Sequence, residues 1–218
     1  MFVLIFVEMT TNSISNIDLG FADLFEQEWK SECKYFPSKI GGKPVFLSLS
    51  PILGIEELNC PKCNFVMKFL LQIYAPIECN VDAFHRTLFL FGCTKGCNEF
   101  VVYRSQLARE NRFYLKDPPD YDAEFDNNPD YSPNPESFDV KLCFVCGIYG
   151  PKQCSNCRNV NYCSKEHQLI DWKNGHKESC LTGKKVSASR SEILFPGKFF
   201  FFFYIYFSFF FLLKLFFY

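Results

Sequence analysis

The sequence predicts an α+β, β-rich chain: an antiparallel β domain toward the N-terminus, then a small cysteine-rich finger with one short helix. Three observations carry that prediction. Short aromatic and β-branched runs bounded by breakers (KFLLQIYAPI, RTLFLFGC, EFVVYRSQL) read as buried strands. Two cysteine pairs, Cys60/Cys63 and Cys93/Cys97, stand at the ends of those runs. Six cysteines and two histidines crowd into residues 141–180.

Residues 1–16 are expected to be a flexible N-terminus and 17–114 the β domain. In FPSKIGGKPVFLSLS, the pair Gly41-Gly42 between apolar stretches is a hairpin signal. In KFLLQIYAPI, Phe69, Leu71 and Ile73 alternate with Leu70, Gln72 and Tyr74, so that strand is expected to be buried on both faces. Cys60-x2-Cys63 and Cys93-x3-Cys97 are knuckles that can bring four thiolates to one ion, a zinc-ribbon-like site. Free buried thiols in a β core are the alternative. Cys33 and Cys79 lack partners at metal spacing and are read as packing or surface thiols.

Residues 115–140 carry eight Asp/Glu, one Lys and five prolines, too acidic and proline-rich to fold alone. They read as a solvated linker. The functional alternative is an acidic clamp in which Tyr121, Phe125 and Tyr131 anchor a basic partner.

The finger spans residues 141–181, with the order Cys143-x2-Cys146-x7-Cys154-x2-Cys157-x5-Cys163-x3-His167-x8-His176-x3-Cys180. Two residues between cysteines let both thiolates of one turn reach the same ion. Zinc takes four such ligands tetrahedrally, so eight ligands make two closed, structural sites with no open position for catalysis. Forty residues bury little core, so the metal must supply folding free energy. Ser164 is placed to cap a short helix from Lys165.

The stretch YCSKEHQLIDWKNGHKESC resembles the MYND zinc finger. His167 stands where most family members have cysteine, which changes the site's charge and softness only. The resemblance implies interleaved ligation: Cys143, Cys146, Cys163 and His167 for the first zinc, and Cys154, Cys157, His176 and Cys180 for the second. Trp172 is expected to pack on the metal core, with peptide stacking as the alternative. Fingers of this family bind proteins, often proline-containing segments.

From about residue 17 to Pro196 the motifs IDLGFAD, FPSKIGGKPVFL, FLLQIYAP, DAFHRTLFLF and YRSQLARENRFY, followed by this finger, resemble the programmed cell death protein 2 family. The resemblance implies a cytoplasmic and nuclear protein working in ribosome production, as a dedicated chaperone of a basic small-subunit ribosomal protein. It ties the family to apoptosis by name. A transcriptional or signalling adaptor docking proline-containing motifs is the alternative.

A formal net charge of -1 gives no global pull toward nucleic acid or membrane. Residues 141–185 hold eight Lys/Arg and three Asp/Glu, and two zinc centres of charge -1 each leave about +3, too little and too dispersed for specific nucleic-acid readout. His85 has no nucleophile beside it, and no GxGxxG, GxxxxGK[ST] or HExxH occurs, so no enzyme is expected. The opening run Phe2 to Val7 has no basic flank and is followed by Glu8, unlike a signal peptide, and Met9 is an equal candidate start. With reduced thiols, cysteines read as metal ligands rather than disulfides.

Residues 182–198 read as a second linker, and 199–218 as an apolar tail with eleven phenylalanines. The length fits a membrane span. The composition, which lacks Ala, Val and Gly and is almost wholly encodable by A/T codons, points instead to read-through into an intron and loss of a C-terminal half. A genuine membrane anchor is the alternative.

Overall fold

A computed structural model describes residues 3–10, 13–23, 28–126, 133, 138–183 and 198–201. Strands β1 (Val3–Thr10), β2 (Ser13–Asp23), β3 (Lys39–Ile40), β4 (Lys68–Tyr74), β5 (His85–Gly92) and β6 (Phe100–Leu107) join β9 (Lys198–Phe201) in one sheet. Its order is β1-β2-β9-β3-β4-β5-β6, with every pairing antiparallel. The stretch expected to be a flexible N-terminus therefore includes β1 and the start of β2, paired from Val3↔Phe21 onward. Of the apolar tail, only residues up to 201 are described. No described helix is long and apolar enough to cross a membrane.

The three apolar runs form β4, β5 and β6 as expected; β5 and β6 pair in unbroken register from His85↔Leu107, and β4 pairs with β5 across a bulge between Phe69 and Leu71. β4 is buried on both faces, through Phe69 and Gln72 beside Phe91 and Phe89 on one and through Ile73 opposite Leu88 on the other. The glycine pair corrects the hairpin expectation. Gly41 and Gly42 both take positive φ, 67° and 68°, but β3 pairs with β4 rather than with the residues that follow the turn. Pro44 has no N–H to give to a ladder. The buried Gln72 side chain substitutes for a strand there, accepting from Val45 N at 2.8 Å and donating to Pro37 O at 2.8 Å. Residues 43–55 thus run irregularly across the sheet, bringing Phe46, Leu49 and Leu53 onto Phe69, Phe89 and Phe91.

Past the finger strands β7 (Lys152–Gln153) and β8 (Asn161–Tyr162), the helix expected from Lys165 forms as α1 (Lys165–Asp171). Ser164 caps it by accepting from His167 N at 3.2 Å. After a kink at Asn174 and Gly175 (φ 116°) the chain continues as α2 (Lys177–Thr182).

The finger is not a free appendage. Val145, Ile148, Tyr162, Cys143, Cys154 and Cys163 share one buried cluster with Phe46, Leu58, Phe69, Phe89 and Phe91. Tyr149 N donates to Leu53 O at 2.8 Å, and the Lys43 ammonium donates to Phe144 O. The linker is not wholly solvated either. Lys30 Nζ donates to Tyr121 O at 2.6 Å, and Asp126 accepts from Lys34 at 2.8 Å and from Tyr35 at 2.7 Å.

Candidate metal centres

Three clusters of four ligands form, each with its donor atoms within 4.8 Å of one another: Cys60, Cys63, Cys93, Cys97; Cys143, Cys146, Cys163, His167; and Cys154, Cys157, His176, Cys180. The finger's ligands thus fall into two groups interleaved along the chain. No disulfide forms among the cysteines.

One local geometry builds three of the knuckles. The first cysteine's carbonyl accepts from the residue four on: Asn64 to Cys60 at 2.8 Å, Gly147 to Cys143 at 2.8 Å, Arg158 to Cys154 at 3.0 Å. Its N–H donates forward, to Phe65, Ile148 and Val160. The fourth residue must take positive φ, and Asn64, Gly147 and Arg158 do, at 57°, 80° and 56°. Glycine and asparagine make that turn cheaply, whereas Arg158 is held in it by the knuckle.

The ligand separations fit zinc. Four sulfurs ~2.3 Å from an ion stand about 3.8 Å apart, and a sulfur–nitrogen pair about 3.6 Å. In the first cluster Cys146 and Cys163 are 3.6 Å apart, and His167 Nδ1 lies 3.6 Å from Cys143 and, more closely, 3.1 Å from Cys163. In the second, Cys154 and Cys180 are 3.8 Å apart, and Cys157 lies 3.7 Å from His176 Nε2. In the third, Cys63 and Cys93 are 3.5 Å apart. The donor sets, four thiols or three thiols and an imidazole, suit Zn2+.

Within each cluster the sulfurs differ electrostatically. Hydrogen bonds from Cys146 and Cys163 hold the Cys143 thiol well below the usual thiol range. Burial would lower His167, but the Cys143 and Cys163 sulfurs raise it to about 9. Burial would raise Cys154, yet His176 and the backbone N–H groups of Cys157 and Asn156 bring it to about 6. The Lys95 N–H, 3.4 Å from Cys93 Sγ, heads the causes that bring that thiol to about 7. In each cluster one thiol is held low while a neighbour is pushed up: Cys146 beside Cys143, Cys157 beside Cys154, and Cys63 and Cys97 beside Cys93.

Residues beyond the ligands orient the second cluster. His176 turns Nε2 to the sulfurs, while its Nδ1 lies 3.5 Å from Ser179 Oγ and 4.0 Å from Asp171 Oδ2, the latter beyond hydrogen-bond reach. Asp171, 3 % exposed, accepts from Tyr162 OH at 2.8 Å. Asn156 Nδ2 donates to Cys180 Sγ at 3.0 Å. Polar groups around the ligands bear on their orientation and basicity. Ligand spacing alone missed them, although an acid five residues before His176, on the same helical run, was a usable signal.

Trp172 is half-buried, its ring edge-on to His176 at 5.8 Å. Tyr121 and Phe125 lie on the anchored part of the linker, Phe125 being 70 % exposed, and Tyr131 lies outside the described residues. Cys33 is a packing thiol, 2.8 Å from Phe46 O and 2.7 Å from Tyr114 OH, and burial pushes it up to about 12. Cys79 is exposed. His85 is buried with Nδ1 2.9 Å from Tyr74 OH, while Nε2 has no hydrogen-bond partner among the described residues.

A β sheet sharing its core with a two-site finger, and a third cluster at the sheet's end, define a zinc-binding protein-interaction module. Residues 16–121 match the family model "Programmed cell death protein 2, N-terminal domain", and residues 143–180 match "MYND finger". The chain belongs to the programmed cell death protein 2 family. It is 44% identical over 174 residues to Programmed cell death protein 2 of Bos taurus, covering 79% of this chain and 50% of that protein. It is 41% identical over 172 residues to the Mus musculus protein of the same name, covering 78% and 49%. The chain therefore spans about half the length of these curated relatives. Ubiquitin carboxyl-terminal hydrolase 19 of Arabidopsis thaliana is 40% identical over 65 residues, 28% of this chain and 10% of that enzyme. No solved structure matches.

Proposed function

We propose that the chain is a zinc-stabilised binding protein, not an enzyme, that holds a basic small-subunit ribosomal protein before its assembly, in cytoplasm and nucleus. One observation supports a basic partner. The acidic segment is tied down by Lys30, Lys34 and Tyr35, yet it presents Phe125 beside the exposed Asp122 and Glu124. An apolar ring flanked by carboxylates, on backbone already ordered, suits a basic chain that aggregates until neutralised. The names of the long relatives, Programmed cell death protein 2, state no catalytic activity.

A second reading, an adaptor for proline-containing motifs, draws on Leu169 and Leu181, which the finger's helices leave exposed. The test is affinity purification of the chain from cells with mass spectrometry of bound proteins. One ribosomal protein in near-equal amount supports the chaperone, and its absence alongside nuclear regulators supports the adaptor. Changing Asp117, Asp120, Asp122 and Glu124 to amides should then weaken client binding and flatten its salt dependence. Unchanged affinity at low salt rules the acidic segment out.

A further inference from the structure

The three clusters have different surroundings. In the finger, each cluster has two buried ligands and none exposed. Cys143, Cys154 and Cys163 are among the least accessible atoms of the core. The cluster at the sheet's end has one buried ligand, Cys60, two half-buried, Cys93 and Cys97, and one exposed, Cys63. Its loops are open as well: residues 61–64 and 94–96 are all exposed. Gly96 has no atom within 4 Å of where a Cβ would stand.

Cys63 and Cys93 come from different knuckles, thirty residues apart in sequence, yet their sulfurs are 3.5 Å apart. A disulfide needs about 2.0 Å, so the sulfurs must approach by about 1.5 Å. Exposed loops can supply that movement. The nearest sulfur pairs of the finger, Cys146–Cys163 and Cys154–Cys180, each include a ligand embedded in the core. Oxidation of thiolates follows exposure as well as charge.

We propose that Cys60, Cys63, Cys93 and Cys97 form a peroxide-sensitive zinc site, the first of the three to be oxidised, closing a Cys63–Cys93 disulfide as it releases its metal. The two sulfurs each give up one electron to a peroxide, and an S–S bond replaces two Zn–S bonds. With hydrogen peroxide the O–O bond breaks and two protons complete two waters. Two further protons go to the freed sulfurs of Cys60 and Cys97, and Zn2+ leaves. The new bond joins the same two knuckles that the metal joined. The Asn59↔Val66 bridge and the β5–β6 ladder do not depend on the exposed sulfur, so the sheet keeps its pairing. A reducing thiol and fresh zinc restore the site.

The test treats the full zinc-loaded chain with graded hydrogen peroxide. Released zinc is followed with a chromogenic chelator, and the disulfides are mapped by mass spectrometry after alkylation. One equivalent should leave at least about tenfold faster than the rest. A Cys63–Cys93 peptide should appear in step, and dithiothreitol with zinc should reverse both. Cys63→Ser should remove the fast phase, while Cys79→Ser, which changes an exposed thiol outside the clusters, should keep it. The proposal fails if all three zincs leave together, or if finger cysteines oxidise first. It also fails if the purified chain holds two zincs and alkylates freely at these four cysteines.

Discussion

Replacing Gly150 by alanine tests whether the first metal site depends on one close backbone contact. Gly150 N donates to Lys141 O at 2.7 Å, and the neighbouring Cys143 N donates to Ile148 O at 2.7 Å, so two segments of the finger lie flat against each other. A Cβ at 150 would stand 2.8 Å from Cys143 N, 3.0 Å from its Cα and 3.1 Å from Leu142 C. All three are backbone atoms and cannot swing aside. Ordinary contact begins at 3.4 Å, so Cys143 must retreat by about 0.6 Å from the position that aims its sulfur at the ion. Overpacking of this kind costs about 1–3 kcal/mol. If losing the metal relieves the strain, first-site zinc affinity falls by about 5- to 150-fold. Chelator competition on the full chain measures it. Gly54→Ala is the control, because its nearest neighbour is the flexible end of Glu57 at 3.2 Å, and it should leave affinity unchanged. A Gly150→Ala chain that holds its zinc as tightly as the parent would refute the contact's importance.

Asp171→Asn should weaken the second site by about 10- to 100-fold while sparing the first, read as zinc stoichiometry under graded chelator. Phe89→Ala removes a side chain with no exposure and should cost about 3–5 kcal/mol. Because the core is shared, zinc release and loss of β signal should fall in one urea transition, and two separated transitions would contradict it. Burial brings His85 down to about 4 from an ordinary 6.5. The folded state holds the imidazole neutral, so stability is full above 6.5 and lost as pH falls toward 4. His85→Phe should flatten that limb in acid unfolding, and an unaltered pH profile would mean that His85 is not its source.

The finger was legible because ligand chemistry writes itself into spacing. Each cysteine pair needs a turn of fixed length, and Ser164 stands where an orphaned helix N–H needs an acceptor. The strands showed in their β-branched runs. What spacing does not carry is docking. The loop 43–55 that joins sheet to finger has no periodicity, and Gln72, which supports it, reads in sequence as one polar residue in a strand. The linker's attachment was hidden for a related reason. Its acid-rich composition describes 115–140 as a whole, while the attachment runs through a particular acid, Asp126, to Lys34 and Tyr35. Arg158 shows the limit at a single position, since its left-handed turn is imposed by the knuckle rather than favoured by the residue.

The shared core also sets an order of events during synthesis. Chains emerge N-terminal end first, and domains usually fold as they emerge. Here Phe46, Phe69, Phe89 and Phe91 are covered by residues up to Cys163, and the finger that carries those residues is closed by a ligand at 180. The β1–β2 and β3–β6 ladders can pair early, although β9, which lies between them, follows Cys180, and one apolar face waits, uncovered, until the last cysteine leaves the ribosome and metal is captured. Zinc scarcity would therefore be felt more than a hundred residues upstream of the ligands that lack it, as a nascent chain held for longer in a sticky, half-finished state.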